Sequence, residues 1–570
     1  MRIALLQLNQ QLGDPAANGA AIEAAYANAL AGGAELAVTP ELAVVGYVAE
    51  DRMWETGLRN RVAVESARLA KLSGLVPLVF GTFSPSPSGR LFNELWWCQD
   101  GSVRQVIRKR LLPSYDVFEE HRWFEPSPET PKLIEHGGHR MGLSICEDLW
   151  ADREFSAMPV RYACDPIADL AKAGATLLLN ASASPTMLGS WPPAGQAAPW
   201  TIPSKEQQRK KLIQGLAKKH GMPLIYADRV GADSWHLFDG GSCLVRPDGS
   251  WQGGQRFTEG IVWVDTEAIG SSWPVYPNEG AWLRDALGMG LRDNLSKQGL
   301  EAVVIGLSGG IDSSVVAALA TEILGPHRVL GVALPTAYSS GESLELAKDQ
   351  AQRLGIKWLC LDAGAPFAGA ASALKTVFPD RAFSVTDENL QSRARALLLM
   401  ALTSESAVHQ LLGTERMAAL NTGNKSEAAT GYFTLYGDGI GAFSILGDCL
   451  KARVYALAQE LGEAVTPGIL SRVPTAELRP GQTDEASLAP YAILDAILGA
   501  ALEAQRPEEG LAEDLACLLE GADLESARKV LPRILGLLRR TEFKRRQLPF
   551  NLKVSPKAFG QGRRMPLTAP

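Results

Sequence analysis

The chain has 570 residues, 46% hydrophobic and 21% charged, with a formal net charge of −7. That length exceeds what one hydrophobic core organises, so several domains are expected, and the balanced composition excludes a disordered or low-complexity chain. The acidic balance argues against an extended nucleic-acid surface and no apolar run reaches membrane-spanning length, so small-molecule substrates come first.

The opening stretch, MRIALLQLNQQLGD, lacks the basic, apolar and small-residue succession of a secretion signal, and a cytoplasmic location is expected. The apolar runs RIALLQL, ELAVTPEL and PLVFGTF alternate with helical periodicity over 21–31 and 61–72, which predicts an α/β layer. Residues 92–108 read as a hairpin turning at Asp100-Gly101, and GSCLVRPDGSW as another turning at Asp248-Gly249. The first half is therefore expected to hold mixed sheets. Seven scattered cysteines with no C-x-x-C pair point to reduced thiols, not a zinc or dithiol centre.

The stretch EAIGSSWPVYPNEGA has no periodicity and is rich in Gly, Pro and Ser, which places a linker at 266–281 between domains 1–265 and 282–570. Beyond it come strand 303–307, helix 314–324, strand 329–334, helix 343–354 closed by Gly355, and strand 358–361. This order predicts a doubly wound parallel sheet. Residues 491–540 read as mostly helical.

In GLSGGIDSS, at 306–314, glycines free the backbone to turn, the following helix offers unpaired N–H groups, and Ser308, Ser313 and Ser314 add hydroxyls. A glycine-rich turn that binds nothing is the plainer alternative, but three serines and Asp312 favour a phosphate site. An aspartate can meet phosphate only through a cation, so Asp312 predicts Mg-ATP or Mg-pyrophosphate. The segment matches the S-G-G-x-D-S signature of N-type ATP pyrophosphatases and resembles that family.

A second constellation, NTGNKSEAATGYFTLYGDGIG, carries Thr422, Lys425, Glu427 and Asp438, with Lys451 beyond it. Together with ENLQSRAR, PTAELRPGQTDE and EFKRRQLPFNLK, these blocks resemble the NAD+ synthetase family. The resemblance implies activation of deamido-NAD by ATP, followed by displacement of AMP by ammonia. It places ATP on Gly306, Leu307, Ser308, Gly309, Gly310, Ile311, Asp312, Ser313 and Thr422, with magnesium on Asp312 and Glu427. It gives Asn389, Glu427 and Lys544 to the dinucleotide and sets Asp438 and Lys451 beside the reacting groups. The basic run KRRQ could be a solvated helix face, but an adenylated intermediate with pyrophosphate favours nearby positive charge.

An amide-forming ligase needs a nitrogen source, and free ammonia is mostly protonated at neutral pH. Glu41, Lys109 and Cys146, each at the end of a predicted strand, could supply it: a thiol attacking an amide needs a base and a cation for the developing oxyanion. Each alone would be an ordinary edge charge or a buried small hydrophobe. Their contexts resemble the nitrilase superfamily, which implies an α-β-β-α sandwich with Glu41 as base, Lys109 as oxyanion stabiliser, Cys146 as nucleophile and Glu120 positioning them. The same resemblance assigns glutamine to Tyr115 and Ser184. The basic partner usually found shortly after Ser184 is displaced by a Pro/Ala-rich insertion at 189–203, and Lys205 is taken in its place.

The whole chain thus resembles glutamine-dependent NAD+ synthetases, with expected departures at 150–168 and at Thr336, where serine is commoner. The rivals are another glutamine-fed ATP pyrophosphatase, such as a GMP or asparagine synthetase, and a nucleotide-binding regulator without catalysis. The former would carry a G-x-C-x-G elbow or a cysteine after Met1; the latter is disfavoured by the intact Glu41, Lys109, Cys146 and Asp312. The partners expected are glutamine, ATP and deamido-NAD, with no nucleic acid or membrane. Ammonia transfer without loss to solvent suggests a tunnel and a homo-oligomer, from dimer to octamer.

Overall fold

The structure, a computed structural model, describes residues 1–129, 132–156, 159–192, 198–479, 481, 482 and 484–568. Parts of the 150–168 connection, of the 189–203 insertion and of the block 474–485 lie outside the described residues. Two compact units divide the chain. One is Met1–Thr186 with Ser204–Val275, the other Met187–Pro203 with Tyr276–Pro570. Residues 187–203, left within the first domain by the sequence pattern, therefore group with the second unit.

The first unit contains strands β1 (Arg2–Gln7), β2 (Leu36–Val38), β3 (Leu78–Pro85), β4 (Leu91–Gln99), β5 (Ser102–Arg108), β6 (Leu133–His136), β7 (His139–Ile145), β8 (Leu177–Ser182), β9 (Leu224–Asp228), β10 (Val230–Asp233), β11 (His236–Asp239), β12 (Cys243–Val245), β13 (Trp251–Gly253) and β14 (Gly260–Asp265). They form two six-stranded sheets, ordered β14-β1-β2-β3-β4-β5 and β13-β12-β9-β8-β7-β6, and a β10-β11 hairpin. Strands β1, β2 and β3 run parallel, as do β7, β8 and β9, while the flanking strands pair antiparallel. Both expected hairpins form.

Apolar residues on both faces of the central strands dictate the layering. Ile3, Leu5, Leu36 and Val38 meet Met141, Leu143, Leu179 and Ile225 between the sheets. The outer face of the first sheet is covered by α1 (Pro15–Ala31) and α2 (Thr56–Leu72) through Ile22, Tyr26, Val62 and Leu69. The other sheet is covered by α3 (Pro166–Lys172) and α4 (Lys205–His220) through Ile167, Leu170, Leu212 and Leu216. The result is the expected α-β-β-α sandwich. Helix α1 begins at Pro15, earlier than its periodicity, because Asp14 caps it on the Ala17 amide and Pro15 fits the first turn.

In the second unit β15 (Ala302–Gly306), β16 (Val329–Ala333), β17 (Lys357–Cys360) and β18 (Met417–Ala419) form an all-parallel sheet ordered β17-β16-β15-β18. Helices α5 (Glu279–Lys297), α6 (Ile311–Leu324), α7 (Gly341–Leu354), α8 (Gly364–Val377), α9 (Val385–Leu402), α10 (Ser406–Leu412), α11 (Lys425–Thr430) and α12 (Lys451–Leu461) surround it. Helix α6 starts at Ile311 and not at 314, because the Ser313 and Ser314 hydroxyls bond back to the Gly310 carbonyl within its first turn. Helix α5 starts inside the expected linker, capped by the Asn278 side chain on the Ala281 amide. Toward the end, Tyr491–Leu498 and Gly521–Arg540 are helical, and share a core that includes Leu494, Ile497, Ile534 and Trp200 of the 187–203 segment. No helix among the described residues is long and apolar enough to cross a membrane.

Candidate active sites

In the first unit the chemistry gathers at the carboxyl ends of three strands. Glu41 follows β2, Lys109 follows β5, and Cys146 follows β7. Lys109 Nζ donates to Glu41 Oε1 and to Glu120 Oε1, both at 2.7 Å, and all three side chains are fully buried. Asn93 Nδ2 and the Ala183 amide hold the Glu41 carboxylate from two further sides, at 2.7 and 3.0 Å. The segment carrying Glu41 sits so close to Gly81 that a Cβ there would lie 2.3 Å from the Leu42 nitrogen, so glycine is required.

Cys146 has a positive φ of 41°, a sharp corner where β7 passes into the turn Cys146–Leu149. Asp148 braces that corner, accepting from the amides of Ile145, Arg110 and Leu111. Burial, then the charge of Glu41, pushes the Cys146 thiol well above its usual range, with Lys109 opposing. The thiol is therefore protonated at rest and needs a base. Burial opposes the Lys109 charge, yet Glu120 and Glu41 outweigh it and hold the ammonium well above its ordinary value. Burial pushes Glu120 up to about 7, despite Lys109 and a 2.6 Å hydrogen bond from Tyr47.

Around the thiol lie groups suited to a small polar substrate. Tyr115 and Tyr162 donate to the Glu147 carboxylate, at 3.0 and 2.7 Å. Lys205, first residue of α4, places Nζ 3.8 Å from the Trp150 ring centroid, and its charge couples to Glu147 and Cys146. Ser184 follows β8, buried, with its amide bonded to Asp228 at 2.9 Å. Tyr47, Asn93, Glu147 and Tyr162 were not expected from sequence. Glu147 could have been, as a carboxylate next to the nucleophile; Tyr47, in the apolar run AVVGYV, gave no signal.

The second unit holds a cavity of about 480 Å³ lined by Gly306–Ile311 (Gly309 excepted), Asp312, Ser313, Thr422, Asn389, Glu427, Asp438, Lys451 and Lys544. Gly309 shapes the loop from behind: its φ is +75°, and a Cβ there would lie 2.4 Å from the Ser343 carbonyl oxygen. Ser308 and Ser313 hydroxyls are 3.2 Å apart, and the Gly310 amide donates to Ser308 Oγ. A phosphate would displace this local bonding.

Asp312 accepts from Lys451 Nζ at 2.5 Å and from Asn424 Nδ2 at 2.9 Å. Asn424 also caps α11, where Glu427 is the third residue. Burial, then repulsion from Asp312, pushes Glu427 up to about 8, with Lys451 opposing. Two close carboxylates sharing one ammonium suit an added hard cation. Among the described residues no three His, Cys, Asp or Glu side chains assemble for a metal.

Asp438 accepts from the Ser392 hydroxyl and the Thr434 amide, Asn389 from the Thr434 hydroxyl, and Lys544 donates to the Gly431 and Phe433 carbonyls. Lys425 faces away from the cavity, buried between Glu503 at 2.6 Å and Asp448 at 2.9 Å. Arg395, Arg472, Glu477 and Asp484 line the cavity without having been expected. Arg472 and Glu477 bond each other and reach Gly309 and Ser343 behind the loop.

Comparison with known proteins follows the same division. Residues 2–270 match the family model for carbon-nitrogen hydrolase and residues 284–548 that for NAD synthase. The chain is 37% identical to a glutamine-dependent NAD(+) synthetase of Synechocystis sp. over 99% of its length and 98% of the relative's. It is 34% identical to that of Thermotoga maritima over 100% and 98%. A solved glutamine-dependent NAD+ synthetase from Acinetobacter baumannii, in complex with adenosine diphosphate, superposes with a TM-score of 0.73 at 29% identity, covering 99% of this chain and 98% of its own.

Proposed function

The chain belongs to the glutamine-dependent NAD(+) synthetase family, and from that premise we propose how its residues divide the reaction. It is a carbon–nitrogen ligase that uses ATP. The full-length match disfavours both a different acceptor and a silent regulator.

In the first unit, Glu41 takes the Cys146 proton as sulfur attacks the carboxamide carbon of glutamine. Lys109 stabilises the tetrahedral oxyanion, a role suited to a charge already desolvated and fixed by two carboxylates. The returned proton goes to the leaving nitrogen, ammonia departs, and a glutamyl thioester remains. Water activated by Glu41 then releases glutamate and restores the thiol. Glu120, with Tyr47, keeps Lys109 in place. Tyr115, Ser184 and Lys205 bind glutamine, Lys205 taking the α-carboxylate.

In the second unit, Gly306–Ser313 and Thr422 hold ATP, and Asn389, Glu427 and Lys544 the dinucleotide. The nicotinate carboxylate attacks the α-phosphorus, pyrophosphate leaves, and ammonia then attacks the acyl carbon and expels AMP. Lys451 offsets charge that builds on the phosphate oxygens, and Asp438 orients the reacting end through Ser392 and Thr434. Asp312 and Glu427 would hold magnesium, which supplies charge neutralisation for the phosphates. A cytoplasmic homo-oligomer that passes ammonia from unit to unit completes the proposal.

The observation that carries it is the coexistence in one chain of the buried Glu41–Lys109–Cys146 set and the cavity built around Asp312 and Lys451. Purified protein with Mg-ATP and deamido-NAD is expected to form NAD+ and AMP in equal amounts from either glutamine or ammonium chloride. Glutamate release without NAD+ from either donor would sink the second assignment and leave the first.

A further inference from the structure

The chain leaves the first unit after Thr186 and returns at Ser204. Ser184 and Lys205, proposed above to bind glutamine, thus stand on opposite sides of the excursion 187–203. Chain continuity alone does not hold the two ends of such an excursion in register, because the segment between them carries no structure of this unit. Something within the first unit must tie them.

The ties are buried and ionic. Asp228, the last residue of β9, accepts the Ser184 amide on Oδ1 at 2.9 Å, together with the Arg229 amide at 3.0 Å. Its Oδ2 accepts from Tyr226 OH at 2.9 Å and lies 3.4 Å from Arg209 Nη1. Arg209 sits one turn after Lys205 on α4, so the two side chains share a face. Its Nη2 donates to Asp239 Oδ1 at 2.7 Å. Asp228, Arg209 and Asp239 are at most 4% exposed. Burial pushes Asp228 up to about 7, with Arg209 opposing. Desolvating such a pair costs much of what its mutual attraction returns. None of their described hydrogen bonds reaches Glu41, Lys109 or Cys146.

We propose that Asp228 and Arg209 are positioning residues for glutamine recognition: one carboxylate fixes the Ser184 backbone on one side of the excursion and the Arg209 helix turn, with Lys205, on the other. The brace acts on substrate binding and not on bond breaking. The inference rests on the assignment of Ser184 and Lys205 to glutamine.

The test measures glutamate release and ammonium-dependent NAD+ formation in the full chain for Asp228→Ala, Asp228→Asn, Arg209→Met, Arg209→Lys and Lys205→Met. Loss of the brace is expected to raise KM for glutamine about tenfold or more while kcat changes less than about threefold. Ammonium-dependent synthesis should hold, and Arg209→Lys should recover part of the loss. Asp228→Asn and Arg209→Met should be non-additive when combined. If Lys205→Met leaves KM unchanged, the glutamine assignment fails. If Lys205→Met raises KM but Asp228→Asn and Arg209→Met do not, or if they lower kcat with KM fixed, the brace is overturned. Should Asp228→Ala lose both activities through misfolding, the Asn and Arg209→Lys variants decide between these outcomes.

Discussion

The two sites solve opposite electrostatic problems. In the first unit every charge of the Glu41–Lys109–Glu120 set is buried and already paired, and the one group that must change state is a neutral thiol. In the second, Asp312, Glu427 and Lys451 line an open cavity of about 480 Å³, where Lys451 pairs with Asp312 while burial and the charge of Asp312 push Glu427 up. A small neutral amide can be received by a finished, desolvated frame. Two polyanionic nucleotides need a frame that is completed by what they bring. Preorganisation therefore lies within the protein in one site and is shared with the ligands in the other.

The sharpest way to break this contrast is to remove the thiol. Cys146→Ala is expected to cut glutamine-dependent NAD+ formation by at least about 10⁴-fold and leave the ammonium-dependent rate within about twofold. Equal loss with both donors would mean that the first site also supports the second chemically. The converse change, Asp312→Asn, removes the partner of Lys451. It should lower NAD+ formation about 10²- to 10³-fold with either donor and leave glutamate release intact, measured with glutamine alone. Rescue by ammonium would contradict the assignment.

How much of this was legible in the sequence follows the same contrast. The βα alternation and the hairpins at Asp100-Gly101 and Asp248-Gly249 are local signals, and the sheets formed where they pointed. Glu41, Lys109 and Cys146 could be named because each ends a strand in a family-like context, and the structure gathers them. Tyr47 and Asn93 could not. Their contacts with Glu120 and Glu41 span long sequence separations, and neither residue type is unusual where it stands. Helix starts were misjudged at Pro15 and Ile311, because caps and hydroxyl back-bonds, not apolar periodicity, set them. The insertion at 189–203 was visible in the sequence, but its grouping with the second unit was not. Its Pro/Ala-rich composition reads as a loop insertion, and it is the packing of Ala198 and Trp200 with Leu494 and Ile534, with hydrogen bonds such as Arg453 to the Gly189 carbonyl, that shows where it belongs.

A subtler change tests the loop itself. Gly309→Ala adds a methyl group against the Ser343 carbonyl in a left-handed backbone. The loop must shift, and kcat/KM for ATP is expected to fall about 10- to 100-fold, at a cost of roughly 1–3 kcal/mol in stability. Glutamate release should be unaffected. Normal ATP kinetics would mean that the loop's backbone does not form the phosphate cradle.

The smallest effect concerns Lys205, the cation that lies over the Trp150 ring in the first site. Burial, reinforced by Arg209, pushes Lys205 down to about 8, so its charge is present below that pH and lost above it. If that charge receives the α-carboxylate of glutamine, kcat/KM for glutamate release should fall by up to about tenfold per pH unit above pH ~8. Lys109, held well above its ordinary value by Glu120 and Glu41, adds no limb there. Lys205→Arg keeps its charge throughout the range and should bind glutamine less well at neutral pH yet lose the alkaline limb. A limb that survives in Lys205→Arg would assign the titration to another group and leave the α-carboxylate without its proposed partner.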